Sequence, residues 1–130
     1  MSAAPLIDQR LSERLLASEM TLRVFLNGHQ IRTPLIVLDY NRDGIAFISS
    51  AHLGSRQNIR LSLALDDHQV GPVEATVHNC RKLKTGDYRC GIQFRADSPK
   101  QLDRKKIMIG LELLENTLRI NQGYSNTILS

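Results

Sequence analysis

The chain has 130 residues, 42% hydrophobic and 23% charged, with a formal net charge of +4 and a pI near 9.4. That length suits one domain with a real core, and the composition is that of a globular chain without low-complexity segments. No apolar run approaches the roughly 20 residues that cross a bilayer, and MSAAPLIDQR lacks the basic-then-apolar order of a signal peptide, so a cytoplasmic location is expected.

Leu6, Ile7, Leu11, Leu15 and Leu16 recur at near-helical spacing behind Pro5. This predicts a short helix over residues 6–18, within an N-terminal segment of residues 1–20. From Thr21 the period changes to two. Leu22, Val24 and Leu26 alternate, Asn27-Gly28 supplies a hairpin turn, and residues 31–38 return as a strand with Pro34 at an edge or bulge. After the stretch DYNRDG, residues 45–48 form a short strand. Ile59, Leu61, Leu63 and Leu65 then mark a half-buried strand, and Gly71-Pro72 reads as a connection. Val73, Ala75 and Val77 alternate, Thr85-Gly86 turns the chain, and Tyr88, Cys90, Ile92 and Phe94 form the last strand. Six strands with short turns predict a mainly β protein, a six-stranded antiparallel β-barrel over residues 21–97.

The C-terminal part differs. Ser98-Pro99-Lys100-Gln101 has the form of a capped helix start. Ile107, Leu111, Leu114 and Leu118 follow at helical intervals, and Gly123 is a stop, so residues 98–122 should form a C-terminal α-helix. Such a helix would cover a barrel mouth or present a surface to a protein partner.

Few residues carry chemistry. The histidines His29, His52, His68 and His78 are scattered singly, and Cys80 and Cys90 lack metal-ligand spacing. The two cysteines flank a turn. If Val77 and Ile92 both face the core, strand parity puts them on opposite faces, as free thiols. In DYNRDG, Asp39, Asn41, Asp43 and Gly44 resemble the start of a calcium loop, but Ser50 occupies the twelfth position, where a bidentate Glu belongs, and the flanks are β-like. No metal site is therefore expected. The stretch also suits a turn, with Gly44 supplying positive φ. Asp39 and Asn41, two apart in an extended segment, point to one face and can hydrogen-bond a ligand. A carboxylate accepting two N–H bonds suits the N1 and N2 edge of guanine. Earlier in the chain, RLSER places Arg10 and Arg14 four residues apart, and guanidinium groups suit both phosphates and stacking on a base.

RLSER, a strand hairpin, DYNRDG and the strands ending in GDYRCGIQF, in that order from about Arg10 to Phe94, resemble a PilZ domain. That family carries RxxxR followed some tens of residues later by DxSxxG on a six-stranded barrel, and its members are receptors for the bacterial messenger cyclic di-GMP. The resemblance implies that Arg10 and Arg14 grip phosphates and guanine faces. It matches Asp39 to the acidic residue of the second motif and Gly44 to its final glycine. Asn41 stands where the family usually carries Ser.

The expected function is a non-catalytic signalling module without a cofactor. Cyclic di-GMP is held by Arg10, Arg14, Asp39, Asn41 and Gly44, and a conformational change is passed to an unidentified protein partner, with the C-terminal helix as the second surface. Two alternatives belong to other classes. One is a PilZ-like adaptor that does not bind the nucleotide. The other is a nucleic-acid-binding barrel using Arg81, Lys82, Lys84 and Arg89, which 5% aromatic content and the lack of Trp disfavour.

Overall fold

The computed structural model describes residues 14–123. Eight antiparallel strands lie in one sheet: β1 (Leu15–Leu16), β2 (Thr21–Leu26), β3 (His29–Gln30), β4 (Leu35–Asn41), β5 (Gly44–Ser49), β6 (Asn58–Leu65), β7 (His68–Lys82) and β8 (Tyr88–Phe94). One helix, α1 (Arg104–Asn121), follows them. The order across the sheet is β1-β4-β5-β8-β7-β6-β2-β3.

Five expected strands appear close to where period-two alternation put them. The Asn27-Gly28 hairpin forms with positive φ at both residues, 52° and 81°, as a tight primed turn requires. The expected strand over residues 31–38 is shifted: β3 ends at Gln30, and β4 starts after Pro34, which has no N–H to give a ladder. Gly71 and Pro72 lie inside β7, opposite the point where the β6–β7 register shifts between Leu61 and Leu63. A bulge accommodates a residue without an N–H donor.

Three expectations need correction. The barrel is not closed by hydrogen bonds. β2 and β4 touch without a ladder between them, so the sheet keeps two edges, β1 and β3, each two residues long. The predicted N-terminal helix falls mostly outside the described residues, but its end is extended: Leu15 and Leu16 pair with Tyr40 and Asp39. Leu15 is buried and Leu16 exposed, the alternation of a strand. The C-terminal helix starts at Arg104, with Asp103 as its N-cap, instead of at residue 98. Gln101 is drawn away from capping. Its Oε1 accepts the Glu74 N–H at 2.7 Å, and its Nε2 donates to the Pro72 carbonyl at 2.9 Å, satisfying backbone groups of β7.

The core lies between the inner face of the sheet and α1. Val24, Val37, Tyr40, Ile45, Phe47, Leu61, Val73, Val77 and Cys90 come from the strands, and Ile107, Leu111, Leu114 and Leu118 form the predicted helical stripe. Each fully buried aliphatic side chain contributes about 1.5–3 kcal/mol, enough for four to hold the helix down. Gly110 lets the helix approach β7, because a Cβ there would press on Val70. No helix among the described residues is long and apolar enough to cross a membrane.

Candidate ligand-binding site

The DYNRDG stretch is the end of β4, a turn at Arg42-Asp43, and the start of β5, with Asn41 opposite Gly44. A bulge at Leu38 decides which way its side chains face. Val37 pairs with Phe47 on the inner face, and the next partners are Asp39 and Ala46. Without the extra residue Asp39 would share the parity of Val37 and enter the core. With it, Tyr40 turns inward and Asp39 outward.

Asp39 is met by two arginines. Arg14 places Nε at 2.8 Å and a terminal nitrogen at 2.5 Å from Asp39 Oδ1. Arg89, from β8, puts a terminal nitrogen 3.5 Å from Oδ2. All three side chains are partly exposed, between 22% and 34%. Arg14 is brought there by β1, whose pairing with Tyr40 and Asp39 lays the end of RLSER along β4. Gly44 completes the contact. A Cβ there would run into the Ile92 carbonyl oxygen and come within 3.2 Å of Arg14. Gly44 is needed for this close approach, not for a left-handed backbone: its φ is not positive, contrary to the sequence expectation.

Asn41 is placed differently. It is 5% exposed, and its Oδ1 accepts the Asp43 and Gly44 N–H groups at 2.8 and 2.9 Å. It therefore shapes the turn from within, the local bonding for which Asn is favoured in turns. Asp39 and Asn41 do not converge as metal ligands, since one faces arginines and the other its own turn. Among the described residues no group of three or more His, Cys, Asp or Glu side chains has metal-binding geometry. Arg10 lies outside the described residues.

The same turn is fastened to α1. Glu115, on the helix and buried, accepts the Arg42 backbone N–H at 2.7 Å and the Arg42 guanidinium at 3.2 Å. Glu112 takes the other terminal nitrogen of Arg42 at 2.7 Å. The hydrogen bond to Glu115 raises the Arg42 pKa above its ordinary value. Tyr40 donates its hydroxyl to the Leu111 carbonyl at 2.6 Å, and burial, with the nearby Glu115 second, raises its pKa. Sequence reasoning missed Arg89, Arg42 and Glu115 as parts of this neighbourhood. Arg89 was legible only as one of a basic hairpin cluster, and Glu115 as one polar residue on a helix.

The cysteines depart from parity. Val77 pairs with Ile92, both buried, but the register shifts before Asn79, which pairs with Gly91, so Cys80 faces Cys90 on the inner side. The bulge at His78 reverses the expected orientation.

The PilZ domain family matches the chain over residues 8–109. The fold also matches the structure of MrkH from K. pneumonia in its apo state, with a TM-score of 0.62 at 16% identity. That match covers 90% of this chain and 53% of MrkH, so the chain spans about half the length of that protein. No curated protein matches the sequence.

Proposed function

Since the chain belongs to the PilZ domain family, whose members are non-catalytic cyclic di-GMP receptors, we propose that it binds this dinucleotide on the outer face of β4 and β5. Arg10, Arg14, Asp39 and Gly44 form the site, with Asn41 shaping its turn. The observation that carries this reading is the Arg14–Asp39 pair, which joins two motifs 25 residues apart in the chain. In the structure Arg14 and Arg89 satisfy the Asp39 carboxylate. A guanine offering N1–H and N2–H supplies the same two oxygens with donors, and its acquisition of Asp39 frees the guanidinium groups for phosphate oxygens and for stacking on the base. The exchange replaces one set of charged hydrogen bonds by another at low cost.

The output follows from the fastening of the turn to α1. A ligand that shifts the Asp39–Gly44 turn also shifts Arg42 against Glu112 and Glu115, which supports α1 as the surface through which a protein partner would read the change. A ligand moves this equilibrium only by its difference in affinity for the two arrangements.

Isothermal titration with cyclic di-GMP tests the reading, beside GTP and single-stranded DNA at two salt concentrations. Saturable binding is expected for the dinucleotide alone. Arg14→Ala should lose tenfold or more in affinity with the fold intact, because a charged hydrogen bond contributes roughly 1.5–3 kcal/mol. Flat traces near 100 µM protein, about the level at which −5.5 kcal/mol registers, would support the adaptor reading instead. Salt-sensitive DNA binding would support the nucleic-acid reading.

A further inference from the structure

We propose that Cys80 and Cys90 are a redox modification site: a thiol pair that a low-molecular-weight disulfide converts into an intrachain bridge between β7 and β8. The pair is independent of the ligand site's chemistry. The two residues are direct ladder partners, and their sulfurs lie 2.9 Å apart as a hydrogen-bonded thiol pair.

Three features make closure possible without moving the fold. Opposed residues in an antiparallel ladder have Cα atoms about 4.5 or 5.5 Å apart, and both spacings fall in the roughly 4.4–6.8 Å range of disulfides. The sulfurs need to approach by only about 0.9 Å to reach the usual bond length of about 2.05 Å. The ladder continues on both sides of the pair, through Asn79–Gly91 and Arg81–Arg89, so the strands hold the two side chains together. Among the described residues, no third His, Cys, Asp or Glu joins the sulfurs to make a metal site.

The two thiols also differ in the way a stepwise exchange requires. Cys80 is partly buried at the rim of the core, where its sulfur accepts the Leu53 N–H at 3.4 Å; Cys90 is fully buried. Burial, with the hydrogen bond to Cys80 second, pushes the Cys90 thiol up to about 12, so the more accessible Cys80 is the first to react. With glutathione disulfide as oxidant, the Cys80 thiolate attacks one sulfur, forming a Cys80–glutathione mixed disulfide and releasing one glutathione. The Cys90 thiol then loses its proton and attacks the Cys80 sulfur. The protein disulfide forms, and the second glutathione leaves as a thiolate that takes up that proton. Two thiols are oxidised and one glutathione disulfide is reduced to two glutathiones.

The test exposes the folded 130-residue chain to glutathione disulfide at mildly alkaline pH, quenches with acid, and reads intact mass and a non-reducing peptide map. The expected product is monomeric, lighter by two hydrogens, with the Cys80 and Cys90 peptides linked and the link reversed by a reductant. Cys90→Ser should stop at one glutathione attached to Cys80, and Cys80→Ser should keep Cys90 as a thiol. Two remaining thiols in the folded chain, under conditions that oxidise the urea-unfolded chain, would overturn the proposal. So would a lasting glutathione adduct on the wild-type chain, or links formed only between chains. Should Cys90→Ser fail to fold, the wild-type map and Cys80→Ser decide the question.

Discussion

Glu115 is the place where the fastening of the Asp39–Gly44 turn to α1 can be measured. Its carboxylate is 1% exposed and accepts the Arg42 backbone N–H at 2.7 Å, while the Arg42 and Arg119 guanidinium groups lie at 3.2 and 3.5 Å. In Glu115→Ala the Arg42 N–H loses a buried acceptor, at a cost of about 1–3 kcal/mol. The guanidinium partners remain 40% and 30% exposed, so water takes over much of their solvation and their share is small. With the lost packing, about 2–3 kcal/mol of destabilisation is expected. For a chain of this length that is a fall in melting temperature of roughly 10 °C. Glu115→Gln keeps an oxygen for the Arg42 N–H and loses only the charge, so about 1 kcal/mol should go, or roughly 3–5 °C. Thermal unfolding followed by circular dichroism separates the two variants, and amide NMR spectra should show the largest shifts at residues 39–44. Melting of Glu115→Ala within a degree of the wild type would refute this fastening. Equal damage from Glu115→Gln and Glu115→Ala would also refute it, since the backbone bond would then not be the dominant contribution.

Three further outcomes are expected. Gly44→Ala drives a methyl against the Ile92 carbonyl, which its ladder partners hold in place, so about 1–3 kcal/mol of stability should be lost and Arg14 displaced; an unchanged melting temperature would contradict the close approach. Asn41→Leu deprives the Asp43 and Gly44 N–H groups of their acceptor and should cost about 1–3 kcal/mol, whereas Asn41→Ser retains an acceptor and should melt near the wild type; equal losses in both would mean the side chain does not hold the turn. Arg89→Ala removes a long, partly exposed pair and should change stability by less than about 1 kcal/mol, while a titration with cyclic di-GMP should show weaker binding, because Arg89 also meets Asp39; unaltered affinity would mean that Arg89 takes no part in binding.

Much of this architecture is legible in the chain because the signals are local. Alternation through Leu61, Leu63 and Leu65 reports a strand with one buried face, and all three are buried. The stripe Ile107, Leu111, Leu114, Leu118 reports one buried helix face, and it too is buried. Where the reading failed, a distant partner outweighed local preference. Leu15 and Leu16, helical by spacing, are claimed by the free edge of β4. Gln101, fit for a capping box, is claimed by the backbone of β7.

The two motifs, their order, the mainly β character and the C-terminal helix are all readable from the chain, since each depends on residue type and short-range period. The directions in which the decisive side chains face are settled by the folded sheet instead. A β-strand reverses every later side chain when one residue is inserted into its ladder, and period-two patterns do not reveal where that happens. One bulge at Leu38 turns Asp39 out toward Arg14 and Arg89, and another at His78 turns Cys80 in toward Cys90. Both are set by which neighbouring strand each segment must match, and that match does not exist until the sheet has formed.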